Sequence, residues 1–218
     1  MLDTSKIKAI TLDLDETLWP IVPVIVRAER LTHSWLQTYA PQVAQRFDIA
    51  ALRSLREQLQ AQNPVLKIDL LQARRETLLE AFSQSGAPTD LAHQALAIFV
   101  QARSEVALFD DVVEALQSLS SRWQLFALSN GFANIHVAGI GQYFVGALSA
   151  SDVGIAKPDI RIFNLAAEKL CLTPSQILHV GDDRALDYDG AIAAGMQAYW
   201  INRPHTSMKS LADLLLHS

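Results

Sequence analysis

Five short apolar runs constrain the fold of this 218-residue chain more than any other feature. Residues 7 to 13, 124 to 129, 145 to 149, 177 to 181 and 197 to 201 are rich in Ile, Val, Leu, Phe and Ala, and helix-like stretches separate most of them. Strands that are apolar along their whole length are covered on both faces, the condition of a parallel sheet with crossover helices. The predicted fold class is therefore α/β, a doubly wound parallel sheet. Between residues 22 and 102 the texture changes. Leu52, Leu55, Arg56 and Leu59, then Leu66, Leu70, Leu71, Leu78 and Leu79, follow helical spacing, and no strand-like alternation interrupts them. Pro41, Asn63-Pro64 and Gly86-Ala87-Pro88 break the segment into about four or five helices, because proline ends or precedes them. The expected organisation is an all-helical insertion at 22–102 within a sheet domain made of 1–21 and 103–218.

Composition narrows the functional classes. With 50% hydrophobic residues the chain buries a sizeable core, and a net charge of -5 with a pI near 5.6 argues against a nucleic-acid surface. The acid surplus falls in the sheet domain. The single cysteine, Cys171, has no internal disulfide partner and is expected to be a small packed side chain, which suits a reducing cytoplasm. The start MLDTSKIKAI lacks the pattern of a signal peptide, and no uncharged apolar run approaches membrane-spanning length, so neither export nor membrane insertion is expected.

In an open parallel sheet, ligands bind beyond the carboxyl ends of the strands. Four clusters of reactive residues fall there. Asp13, Asp15, Glu16 and Thr17 follow the first run, Ser129-Asn130-Gly131 the second, Ala156-Lys157-Pro158-Asp159 the third, and Gly181-Asp182-Asp183 the fourth, with Asp187 and Asp189 close behind. Carboxylates crowded at a strand tip oppose one another's ionisation and lose hydration, so a cation is needed to offset them. Together the clusters supply a nucleophile, hydroxyl and amide donors, one ammonium and a carboxylate set suited to a hard metal ion.

These four stretches, DLDETL, LSNG, AKPD and HVGDDRALD, resemble in order and spacing the four motifs of the haloacid dehalogenase-like (HAD) superfamily, and the helical insertion sits where members carry a type-one cap. RAERLTHSWLQTYAP and GAIAAGMQAYWI are most similar to a bacterial branch of flavin mononucleotide phosphatases that includes enzymes acting on a phosphorylated ribitylaminouracil. The resemblance implies an Mg²⁺-dependent phosphomonoesterase for a small phosphorylated metabolite. Asp13 would be the nucleophile, forming an aspartyl phosphate, Asp15 the general acid and base, and Lys157 a third catalytic group. Thr17, Ser129, Asn130 and Lys157 would bind the phosphate. Asp13, Asp15 (through its carbonyl) and Asp182 would ligate the metal, with Asp187 and Asp183 behind them. Glu16 departs from the glycine of many relatives, and Asp183 from their serine or asparagine.

Each element has a plainer reading. A lone Asp-x-Asp is usually a turn or helix cap, Ser-Asn-Gly a tight turn, and a lysine before proline a solvated loop residue. Asp183 reads as a cap and Asp189 as a surface acid. His33, His93, His136, His179, His205 and His217 lack metal-ligand spacing and read as surface or packed residues. Trp19, Trp35, Arg27 and Arg30, at the start of the insertion, offer rings and donors to a substrate, with packing as the plainer role. The alternatives are a metal-independent dehalogenase, which Asp15 argues against, a phosphomutase, and a noncatalytic phosphate-binding protein.

Overall fold

The computed structural model describes residues 2–203 and 205–217, in two compact units, residues 1–20 with 107–218 and residues 21–106. In chain order, β1 (Ala9–Leu12) leads into α1 (Ile21–Tyr39), α2 (Pro41–Arg46), α3 (Ile49–Gln62), α4 (Leu70–Gln84) and α5 (Asp90–Ser104). There follow α6 (Val112–Ser120), β2 (Gln124–Ser129), β3 (Phe144–Ser149), α7 (Ala150–Val153), α8 (Ile160–Leu170), β4 (Ile177–Gly181), α9 (Gly190–Ala193), β5 (Gln197–Trp200) and α10 (Met208–Leu216). The sheet is parallel throughout, in the order β3-β2-β1-β4-β5. β1 and β4, which pair at its centre, are buried at every residue, as their unbroken apolar texture requires. β3 and β5 are the edges, and their burial is partial.

The strand order fixes where a ligand can go. The chain moves outward from β1 to β2 and β3, then returns to add β4 on the other side of β1. Loops leaving the carboxyl ends of β1 and β4 therefore diverge and open a crevice at that switch point. On one face Phe163, Ile162 and Ala166 of α8 pack against Phe126, Leu128, Leu148 and Met196. Local chemistry sets the helix starts: Asp159 caps α8 by accepting from Arg161 N, and Ser149 closes a capping box over α7. Cys171 corrects an expectation. It is exposed, in the left-handed conformation that ends α8, because the C-cap residue projects off the helix rather than into the core.

The helical unit has its own core, built from Leu36, Val43, Phe47, Leu55, Leu78 and Phe82. Pro41 stands at the first position of α2 and Pro64 opens a 3₁₀ turn, while Asp48 and Asp69 cap α3 and α4. Among the described residues no helix is long and apolar enough to cross a membrane.

One buried acid organises this unit. Glu29 of α1 accepts from Arg53 Nε at 2.9 Å and lies 3.4 Å from Arg74, whose guanidinium stacks 4.0 Å over the Phe99 ring. Burial, reinforced by the neighbouring Arg56, pushes the Arg74 pKa down to about 10. Glu29→Gln leaves that buried guanidinium without its counter-charge. It is expected to destabilise the protein by about 3 kcal/mol, read as a lower urea midpoint. A loss below about 0.5 kcal/mol, the ordinary scatter of surface substitutions, would show that the carboxylate is not what holds Arg74.

Candidate active site

Side chains alternate along a strand, so Thr11 and the residue two further on, Asp13, lie on one face of the sheet. In the β1–β4 pairing Thr11 stands opposite His179, and two residues beyond His179 comes Gly181. Gly181 leaves room where a side chain would otherwise stand, and Asp187 fills it. A Cβ on Gly181 would lie 2.2 Å from the Asp187 carboxyl carbon. Asp187 itself comes from a π-helical segment, Arg184–Asp189, directly after the β4 loop.

Lys157 joins the two loops. Its Nζ donates to Asp13 Oδ1 and to Asp187 Oδ1, each at 2.6 Å, and all three side chains are buried. Its backbone is held separately. Asn130, after β2, accepts from Lys157 N at 2.8 Å with its amide oxygen and donates to Lys157 O at 3.0 Å with its amide nitrogen. Ser129 Oγ accepts from Gly131 N and fixes the turn. Thr17 donates to Asp182 Oδ1 at 3.1 Å and lies 3.4 Å from Asp13 Oδ2. Asp15, partly exposed, accepts from the indole of Trp19 at 2.9 Å.

Charge is unevenly shared. Asp13, Asp182 and Asp187 bring carboxylate oxygens within 4.8 Å of one another, and Lys157 is the lysine bonded to two of them. Burial raises the Asp13 pKa well above the usual carboxylate value, helped by Asp187 and Asp15 and only partly opposed by Lys157. Burial likewise raises Asp182 to about 6. Burial also works against the Asp187 anion, but Lys157 and His179 outweigh it and hold its pKa below the ordinary range. Lys157 loses hydration yet gains two anions, and its pKa is raised. A site with hard oxygen donors and surplus negative charge fits a divalent cation such as Mg²⁺. Asp187 already accepts from Lys157, His179 and the backbone of Asp183, so Asp13 and Asp182 are the better-placed ligands.

The structure thus brings Asp13, Asp15, Thr17, Ser129, Asn130, Lys157, Asp182 and Asp187 together. The exposed Asp183 turns its carboxylate to Ala185 N and Leu186 N as a helix cap, and only its backbone N–H reaches Asp187. Asp189 is exposed and pairs with Arg184. Glu16 adopts φ 56°, the left-handed region where glycine costs less. Trp19 is fully buried with its indole N–H committed to Asp15, so it offers no face for stacking. Arg27 binds Ala102 O, Glu105 O and the Glu105 carboxylate, tying the ends of α1 and α5. Trp35 lies 5.0 Å from Tyr39, and Arg30 is exposed. Sequence reasoning passed over three supports: His179, Thr11 and Trp200, whose indole donates to Asp182 O at 2.6 Å. The available signal was a histidine inside the fully buried run ILHVG, since a buried imidazole needs partners.

The family pattern of haloacid dehalogenase-like hydrolases matches residues 7–195, and the chain belongs to that family of hydrolases. Among its relatives is the 5-amino-6-(5-phospho-D-ribitylamino)uracil phosphatase YigB of Escherichia coli, 36% identical over 200 residues, 90% of this chain and 84% of that protein. A phosphoserine phosphatase of Thermus thermophilus is 29% identical across 60% of this chain and 55% of its own length. Among solved structures, a 2-haloacid dehalogenase from Pseudomonas syringae pv. Tomato superposes with a TM-score of 0.87 at 31% identity, covering 97% of this chain and 99% of that one.

Two outcomes follow from this packing and charge. Gly181→Ala forces Asp187 off its seat and should cost about 1–3 kcal/mol in denaturant titration; an unchanged midpoint would mean that Asp187 shifts freely. The raised pKa of Asp182 means that the folded chain binds a proton more tightly than the unfolded one. Its contribution to stability is therefore present below the ordinary carboxylate range and lost as pH rises through about 6. Asp182→Asn removes the penalty, so without divalent cations it should raise stability by about 1 kcal/mol at pH 7.5, after allowing for solvent screening, and by little at pH 4. A melting curve that drops at both values would contradict this.

Proposed function

We propose that the protein is a divalent-cation-dependent phosphomonoesterase acting on a small phosphorylated metabolite. The observation that carries this reading is the pair Asp13 and Asp15. One carboxylate is buried against an ammonium, and the other, two residues on and partly exposed, is oriented by a buried indole. In this reading Asp13 attacks phosphorus through a carboxylate oxygen while Asp15 delivers a proton to the departing alkoxide. Water then attacks the aspartyl phosphate and gives its proton to Asp15, releasing phosphate and restoring both carboxyl groups. Lys157 has three N–H donors and spends two on Asp13 and Asp187, leaving one for a phosphoryl oxygen. Thr17, Ser129 and the amides near Leu14 and Asn130 would hold the others. Asp13, Asp182 and the carbonyl of Asp15 would hold Mg²⁺, which when bound screens the repulsion between Asp13 and the phosphate.

Attack on carbon with halide departure needs neither a proton donor nor a cation, and would leave Asp15 and the carboxylate surplus without a task. The phosphatase names of the E. coli and T. thermophilus relatives support the same choice. The similarity to YigB over most of both chains favours a ribityl phosphate, the phosphorylated ribitylaminouracil or flavin mononucleotide, as the leaving group's class. The motif residues address only phosphorus and cation, so the choice among esters is assigned to the helical unit, acting as a cap.

Purified protein is expected to release phosphate from these ribityl phosphates faster than from p-nitrophenyl phosphate, to fall silent in chelator and to recover with Mg²⁺. Asp13→Asn and Asp15→Asn should each lower turnover by about 100-fold or more in a protein that still folds, read by circular dichroism. Halide release from a 2-haloacid in excess chelator, with no phosphate release from any ester, would replace the reading with the dehalogenase one.

A further inference from the structure

Behind Lys157 lies a second layer of polar groups that the proposed chemistry does not touch. Thr11 and His179 face each other across the β1–β4 pairing, and Thr11 Oγ1 lies 2.8 Å from His179 Nδ1. On the other side of the ring, Nε2 lies 3.1 Å from Asp187 Oδ1, the same oxygen that accepts from Lys157. The ring is about 1% exposed, and the edge-on Phe163 ring of α8 closes its flank at a centroid distance of 5.1 Å. Partners from β1, from the π-helical segment and from α8 therefore fix its position.

We propose that His179 is a positioning residue for the site, held as the Nε2–H tautomer by Thr11 and holding Asp187, and through it the Lys157 ammonium, in place against Asp13. A carboxylate hydrogen-bonds here only as an acceptor, so the bond to Asp187 requires the hydrogen on Nε2. In the neutral ring Nδ1 is then an acceptor, and the hydrogen of that contact comes from the Thr11 hydroxyl. Burial lowers the His179 pKa and favours this neutral form. Asp187 is thereby gripped from three directions, by His179, by Lys157 and by the backbone N–H of Asp183, while Gly181 closes the space beneath it.

Without the imidazole donor, Asp187 keeps its charge but loses the bond that sets its rotamer. Lys157 then follows the carboxylate, and the Nζ that sits 2.6 Å from Asp13 is displaced. Small displacements of that kind are costly, because a misplacement of about 1 Å can reduce turnover about 100-fold. A ring that only filled space would be replaceable by another ring of the same shape.

The test combines kinetics, which rest on the phosphatase reading, with nuclear magnetic resonance, which does not. In protein labelled with ¹⁵N at histidine and lysine, His179 should show a protonated Nε2 and an unprotonated Nδ1. Thr11→Val should disturb that pattern at little cost to folding. His179→Phe keeps the ring but not the donor. It should shift the Lys157 ¹⁵Nζ resonance and lower kcat about 10- to 100-fold with KM changed less than about twofold, and His179→Gln, which restores an N–H, should recover most of both. A hydrogen on Nδ1, or a His179→Phe protein that folds with wild-type kcat and an unmoved Lys157 resonance, overturns the proposal. If His179→Phe does not fold, the tautomer and Thr11→Val decide. If the wild type releases no phosphate, the phosphatase reading falls, while the two resonances still decide the role of His179.

Discussion

The bond system centred on Lys157 is the constraint on which the rest of the site depends. A buried ammonium is tolerable only when anions surround it, and buried anions only when a cation does so in turn. Asp13 and Asp187 meet that condition from the segments that follow two strands, neighbours in the sheet but far apart in the sequence. Lys157 arrives from a third segment, and its main chain is secured by an uncharged amide, so its backbone position is independent of the ionisation it serves. The sheet order makes this possible, because β1 and β4 are neighbours and the lysine spans the crevice between the segments that follow them.

What the sequence made legible follows from this arrangement. Asp13 and Asp182 are visible because each lies directly beyond a strand, where neighbouring parallel strands bring their loops together, whereas Lys157 comes only after α7 and Asp187 only within the π-helical segment. The sheet itself is visible because two-sided burial leaves an unbroken apolar run. The supports are less visible for a physical reason. Asn130 acts through a partner 27 residues away, and a side-chain amide gives no local sign of which backbone it will bind. His179 stands in an apolar run, where one polar residue reads as a packing variation until the register shows Thr11 opposite it. Trp19 illustrates the opposite error. An aromatic beside reactive residues suggests a stacking surface, but its indole N–H is satisfied by Asp15 and its ring by the core.

The two units differ in how charge is managed. In the sheet unit carboxylates outnumber the lysine, and the imbalance sits where a cation and a phosphate are proposed to meet. In the helical unit the imbalance is reversed, since Arg53, Arg56 and Arg74 share Glu29, and the planar stacking of Arg74 on Phe99 helps a buried guanidinium to be borne. The overall net charge of -5 carries the sign of the first excess and hides the second.

Of the chain's four tryptophans, two donate directly to acids at the strand tips, Trp19 to the Asp15 carboxylate and Trp200 to the carbonyl of Asp182. Indole emission responds to charge and to hydrogen bonding at its N–H, so the protein carries an optical reporter in the place where its chemistry is proposed to occur. Trp123 donates to Ile7 O, at the opposite end of the sheet, and supplies an internal reference in the same molecule.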